Sequence, residues 1–137
     1  MNLKKISAGF LVSAFVLATP FTAFAGPGEW DYLGQREFKW NADVKKYVTS
    51  TVSSHGGDFK FCVNLGASNG VDYKEKIELW EHDPDNPDDH IVTVELRSDQ
   101  CHVVQDVGRF IDGTNKTAEF YLRKSSHSYL DYGWFYD

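Results

Sequence analysis

Phe59-Lys60-Phe61-Cys62-Val63-Asn64-Leu65 alternates without a break. Phe59, Phe61, Val63 and Leu65 fall on one side, and Lys60, Cys62 and Asn64 on the other. A period of two is the signature of a strand with one buried face. Turn sequences bound it: His55-Gly56-Gly57-Asp58 before, and Gly66-Ala67-Ser68-Asn69-Gly70 after, the latter with an Asn-Gly pair. A strand this short between turns sets the expectation for the rest of the chain.

The same pattern continues outward. Upstream, Trp30/Tyr32 and Phe38/Trp40 alternate with polar residues, and Gly34-Gln35 between them suggests a hairpin. Residues 45–53 are rich in Val, Thr and Tyr, which suit a pleated surface. Val48 and Val52 are read to one side, with Tyr47, Thr49 and Thr51 to the other. Downstream, residues 73–80 form the next strand. Residues 91–96 follow, with Thr93 and Glu95 on the wet side, and then a strand over 101–107. Ala118, Phe120 and Leu122 face inward, with Glu119, Tyr121 and Arg123 outward. Tyr132, Trp134 and Tyr136 close the series. About eight short strands with no sustained helical period imply an all-β, single antiparallel β-sandwich.

The first 25 residues read differently. Lys4 and Lys5 precede an apolar run too short to span a bilayer, and Ala23-Phe24-Ala25 fits small-x-small cleavage. The expectation is a cleaved signal peptide (1–25) ahead of one β-sandwich domain (26–137). No second apolar run is long enough to span a membrane, so no transmembrane segment is expected in the mature chain. The protein is expected to be secreted from a bacterium, or periplasmic if the host is Gram-negative, and monomeric.

Charge narrows the partners. The full chain carries a formal net charge of −6, and removing residues 1–25 takes away two Lys and no acid. Such a balance argues against nucleic acid, whose binding rests on Lys and Arg at phosphates. It also disfavours anionic lipid unless a bound cation reverses the local sign. Cys62 and Cys101 are the two cysteines. In an oxidising compartment they are expected to pair, closing a loop of roughly 39 residues with about 4 kcal/mol of chain-entropy stabilisation.

The densest group of oxygen donors lies between two apolar strands, in Trp80-Glu81-His82-Asp83-Pro84-Asp85-Asn86-Pro87-Asp88-Asp89-His90. Two prolines exclude a helix there. Ca²⁺ takes six to eight oxygens in flexible geometry, which makes Glu81, Asp83, Asp85, Asp88 and Asp89 candidate ligands. Pro84 and Pro87 reduce the loop's freedom before folding. His82 and His90 would suit Zn²⁺ or Cu²⁺ instead. A solvated acidic turn needs no ion at all.

The spacing resembles the third calcium loop of C2 domains. There an apolar strand ends in Trp, Asp-x-Asp-x(5)-Asp follows, and a second apolar strand returns. Trp80, Glu81, Asp83 and Asp89 fall on that frame, with Glu81 in place of the first Asp, and Asp88 stands where Asn is common. The resemblance covers about residues 77–96. It implies an eight-stranded sandwich with Ca²⁺ at its loop end.

Aromatic residues are the second candidate surface. Trp30, Trp40, Tyr73, Trp80, Tyr121, Tyr132, Trp134 and Tyr136 are many for one small core. Rings with polar handles suit sugar stacking or a membrane interface; packing in the core and its rim is the alternative. Trp80, Trp134 and Tyr136 are the expected ligand contacts.

Enzyme signatures are absent: there is no Gly-x-Ser-x-Gly, His-Glu-x-x-His or phosphate-binding glycine loop. His55, His102 and His127 are isolated. A carboxylate pair for glycoside hydrolysis stays open, because its separation is three-dimensional. The expectation is therefore a secreted, non-enzymatic binding protein, with Ca²⁺-assisted recognition of a lipid or glycan surface. A secreted antimicrobial, toxin-like or hydrolase-inhibitor protein facing a protein partner is the alternative, and a small hydrolase the third.

Overall fold

The computed structural model describes residues 29–66, 73–126 and 130–137. They form ten strands: β1 (Tyr32–Glu37), β2 (Lys39–Asn41), β3 (Lys46–Val48), β4 (Val52–Ser54), β5 (Phe59–Asn64), β6 (Glu75–Glu81), β7 (Asp89–Leu96), β8 (Gln100–Val104), β9 (Ala118–Lys124) and β10 (Tyr132–Tyr136). The one helical turn among the described residues is a 3-10 segment, Val107–Phe110. Two sheets pack face to face. The smaller runs β1-β10-β5-β8, and the larger β2-β3-β9-β6-β7 with β4 also on β9. Every pairing is antiparallel. The fold is the expected all-β sandwich.

Alternation builds the core. Phe59, Phe61, Val63 and Phe135 point in from the small sheet. Val52, Ile77, Leu79, Ala118, Phe120 and Leu122 meet them from the large one. Phe59 and Phe120 touch across the gap, ring centroids 4.6 Å apart. Burying each large side chain contributes about 1.5–3 kcal/mol, so this layer is the main stabilising term. Thr93 and Glu95 are exposed on β7, as their alternation requires.

Cys62 and Cys101 form the expected disulfide. They sit directly opposite each other on neighbouring β5 and β8. The 62-side of β5 is the outer face, and the bridge there leaves Cys62 buried and Cys101 exposed.

Three local expectations change. Gly34-Gln35 is not a turn: β1 runs through it, with a register shift between Tyr32 and Gly34 against β10. Gly34 takes φ 122 there, a conformation a side chain would resist. The chain instead changes sheets at Phe38, which is buried and whose N–H donates to the Asp131 carbonyl (3.0 Å). Residues 45–53 are two strands rather than one. Between them Thr49 is buried; its Oγ1 accepts the Leu122 N–H (3.0 Å) and its own N–H donates to the Leu122 carbonyl (3.0 Å). A side chain that replaces a ladder bond belongs inside, so alternation misplaced it.

The expected signal peptide, most of the turn at residues 66–70, and His127 lie outside the described residues.

Candidate functional site

The acidic connection joins β6 to β7 and begins and ends on a cross-strand pair, Glu81 opposite Asp89. Its acids have separate tasks. Asp83 Oδ1 accepts the N–H groups of Asp85 (2.8 Å) and Asn86 (3.1 Å), and its Oδ2 accepts from Asn86 Nδ2 (2.7 Å). This ties the turn to its own first residue, and the Asn86 bond leads in holding the Asp83 carboxyl below its usual range. Asp88 points back to the large sheet. Its Oδ2 accepts the Tyr121 hydroxyl and lies 3.5 Å from Arg123 Nη2, while Oδ1 is 3.0 Å from His82 Nδ1. Burial pushes the Asp88 carboxyl up, but the bonds from Tyr121 and His82 outweigh it, and the net direction is down. Asp85 and Asp89 are exposed.

Glu81 behaves differently. The alternation of β6 puts it on the side of Ile77 and Leu79, and it is 3% exposed. Its Oε1 has no hydrogen-bond partner. One carboxylate oxygen each from Glu81, Asp112 and Glu119 lie within 4.8 Å of one another. The turn between the 3-10 segment and β9 carries Asp112, and the start of β9 carries Glu119. Asp112 and Thr117 form a bridge across it, with Gly113 and Lys116 both at positive φ. Asn115 Nδ2 (2.9 Å) and Thr117 Oγ1 (2.6 Å) donate to Glu119 Oε1. Burial first, then the charges of Asp112, Asp83, Asp89 and Glu119, push the Glu81 carboxyl up to about 7.

The five acids expected as one ligand set are therefore divided. Glu81, Asp83 and Asp89 share an electrostatic neighbourhood with Asp112 and Glu119, whereas Asp88 is engaged by Tyr121, His82 and Arg123. Asp112 and Glu119 were not among the sequence candidates. The first reads as a turn residue and the second as an outward strand residue. The compact run Asp112-Gly113-Thr114-Asn115-Lys116-Thr117-Ala118-Glu119 was the available signal.

The expected ligand-contact rings also separate. Trp134 and Tyr136 lie on the outer face of the small sheet. Tyr32 stands beside Tyr136 (centroids 5.4 Å apart). Lys60 Nζ is 4.4 Å from the ring centroids of both Trp30 and Tyr136. Trp134 Nε1 donates to Gln35 Oε1 (2.9 Å). Trp80 is on the other sheet, packed under Arg123 (3.9 Å to the ring centroid) and beside His90 (5.0 Å), with Nε1 donating to Glu78 Oε2 (3.0 Å).

Residues 32–134 match a family model described as the YndA coiled coil domain. The chain is also similar to the uncharacterized protein YndA of Bacillus subtilis (strain 168), 33% identical over 129 residues and covering 89% of each chain. No solved structure gives a significant match. The described residues inside the match are strands, turns and one 3-10 segment. A coiled coil needs apolar residues every 3.5 positions on long helices, and the alternation of β5, β6 and β9 has a period of two.

Proposed function

The chain belongs to the YndA coiled coil domain family, and we propose that it acts as an exported, non-enzymatic binding protein for a glycan surface. One observation carries the reading: the aromatic outer face of the small sheet. Trp30, Tyr32, Trp134 and Tyr136 share that face with Lys60, and Tyr32 is 58% exposed. Open rings beside a cation and amide groups match the apolar face and hydroxyl rim of a sugar. An anionic bilayer suits it less, because the chain is acidic overall. The disulfide agrees with an oxidising compartment, as does the charged and apolar pattern of residues 1–25. The acid-rich end of β6, where the C2-like resemblance implies Ca²⁺, adds a cation-assisted element.

Co-sedimentation of the purified protein with peptidoglycan and with insoluble β-linked polysaccharide tests this, beside vesicles of phosphatidylglycerol. The expected result is retention on a glycan. Trp134→Ala with Tyr136→Ala should weaken it about tenfold or more, for rings worth roughly 1 kcal/mol each, while Trp80→Ala leaves it unchanged. Retention on vesicles alone, or on glycan regardless of Trp134 and Tyr136, would overturn the proposal. Chelator separates its two elements: a calcium-assisted interaction weakens, and a purely aromatic one does not.

A further inference from the structure

We infer that Glu81, Asp112 and Glu119 form a calcium site at the end of the β6–β9 ladder, in place of the ligand set expected within the β6–β7 connection. The site stands on two independent observations. The first is convergence: three carboxylate oxygens, from β6, from the 112–117 turn and from β9, within 4.8 Å of one another. The second is the state of Glu81. It is 97% buried by the complement of its 3% exposure, and Oε1 has neither a protein donor nor access to solvent. A buried carboxylate oxygen with no partner costs several times what a hydrogen bond returns. Here it also faces two further acids.

Among the described residues no cationic side chain offsets that charge. No Lys, Arg or His forms an ion pair with any of the three; the ion pairs present use Glu37, Glu78, Asp88 and Asp131. Asp83 and Asp89 add to the same negative field. The turn is also arranged in advance. Asn115 and Thr117 hold one oxygen of Glu119, and the Asp112–Thr117 bridge fixes the other end. Ligands ordered before binding lose less entropy when the ion enters.

The donor set selects the ion. All three ligands are carboxylates, with no imidazole or thiolate in the group, so a hard cation is favoured over Zn²⁺ or Cu²⁺. Acids from three separate segments suit the flexible coordination of Ca²⁺ better than the strict octahedron of Mg²⁺. A single proton shared among the three carboxyls is the competing arrangement, and it predicts no response to any metal.

The test is thermal unfolding of the purified full chain, first stripped with chelator and then titrated with CaCl₂ alone. The expected result is a melting temperature several degrees higher at millimolar Ca²⁺, with a smaller rise for MgCl₂. Glu81→Gln keeps the shape of the side chain and should abolish the shift. Asp112→Asn, on the turn rather than in the core, should reduce it while leaving the chelated protein folded. Asp85→Ala should retain it in full. An unchanged melting curve in Ca²⁺ would overturn the site, as would a shift that survives both Glu81→Gln and Asp112→Asn. A shift lost in Asp85→Ala would return the ion to the β6–β7 connection and equally refute the inference. None of these readouts involves glycan, so they stand or fall apart from the surface-binding proposal.

Discussion

The β6–β9 ladder ends in buried charge at both extremities, and the two ends solve the problem in opposite ways. At one, Lys124 is 1% exposed and Asp131 2%. Their side chains form an ion pair, and Lys124 Nζ also donates to the Ser126 carbonyl (2.9 Å). Asp131 Oδ1 accepts the Gly66 N–H (2.6 Å). Close by, Glu75 accepts from the hydroxyls of Tyr73 and Ser126. At the other end, Glu81 meets Asp112 and Glu119 with no cation supplied by the described residues. A closed polar network fixes its own geometry and needs nothing from outside. A same-sign cluster stays dependent on solution conditions: on protons, or on a metal ion.

The largest expected effect breaks the self-sufficient end. Lys124→Met or Asp131→Asn, each alone, strands the opposite charge in the core and should cost about 3–5 kcal/mol in urea unfolding. The double variant Lys124→Met/Asp131→Asn should cost less than the two singles combined, since no uncompensated charge remains. A strictly additive result would show that the pair is not the unit of stability there.

The next effect sharpens the contrast through pH. Glu81 titrates near 7 in the folded chain against an ordinary value of 4.5. Between those values the folded state keeps a proton that the unfolded chain has already released. In chelator, stability from this group is therefore fully present below pH 4.5 and declines as pH rises towards 7. Melting temperatures at pH 5 and pH 8 measure it. Glu81→Gln should flatten that slope and raise stability by about 1 kcal/mol at pH 8. A slope that persists in Glu81→Gln would assign it to other groups.

The smallest effect is a control on the exposed connection. Asp85→Ala removes a side chain in solvent and should change stability by less than about 0.5 kcal/mol. A greater loss would mean that the connection itself holds the fold.

Strand alternation made the sandwich legible, because a period of two with one apolar side has few other readings. Phe59, Phe61, Val63 and Leu65, and Ala118, Phe120 and Leu122, were placed correctly on that basis, whereas Tyr121, read as outward, is buried; the disulfide followed from the cysteine count and the expected compartment. What alternation does not encode is which strand ends meet. Glu81 and Glu119 are 38 positions apart in a chain where only the registry of β6 on β9, Glu81 opposite Phe120, brings them together. Trp80 and Trp134 were both read as ligand-contact rings, yet the two occupy different sheets. Gly34 read as a turn because a glycine at positive φ serves bulges and turns alike.

β8 is one of the two border strands of the small sheet, and its main chain would otherwise be free to fray. The Cys62–Cys101 bond rivets it to its inner neighbour near its start. Border strands are what neighbouring molecules borrow when they exchange segments or stack into fibres. Wherever copies of the chain crowd together, this hem of the sheet is already sewn down when they meet.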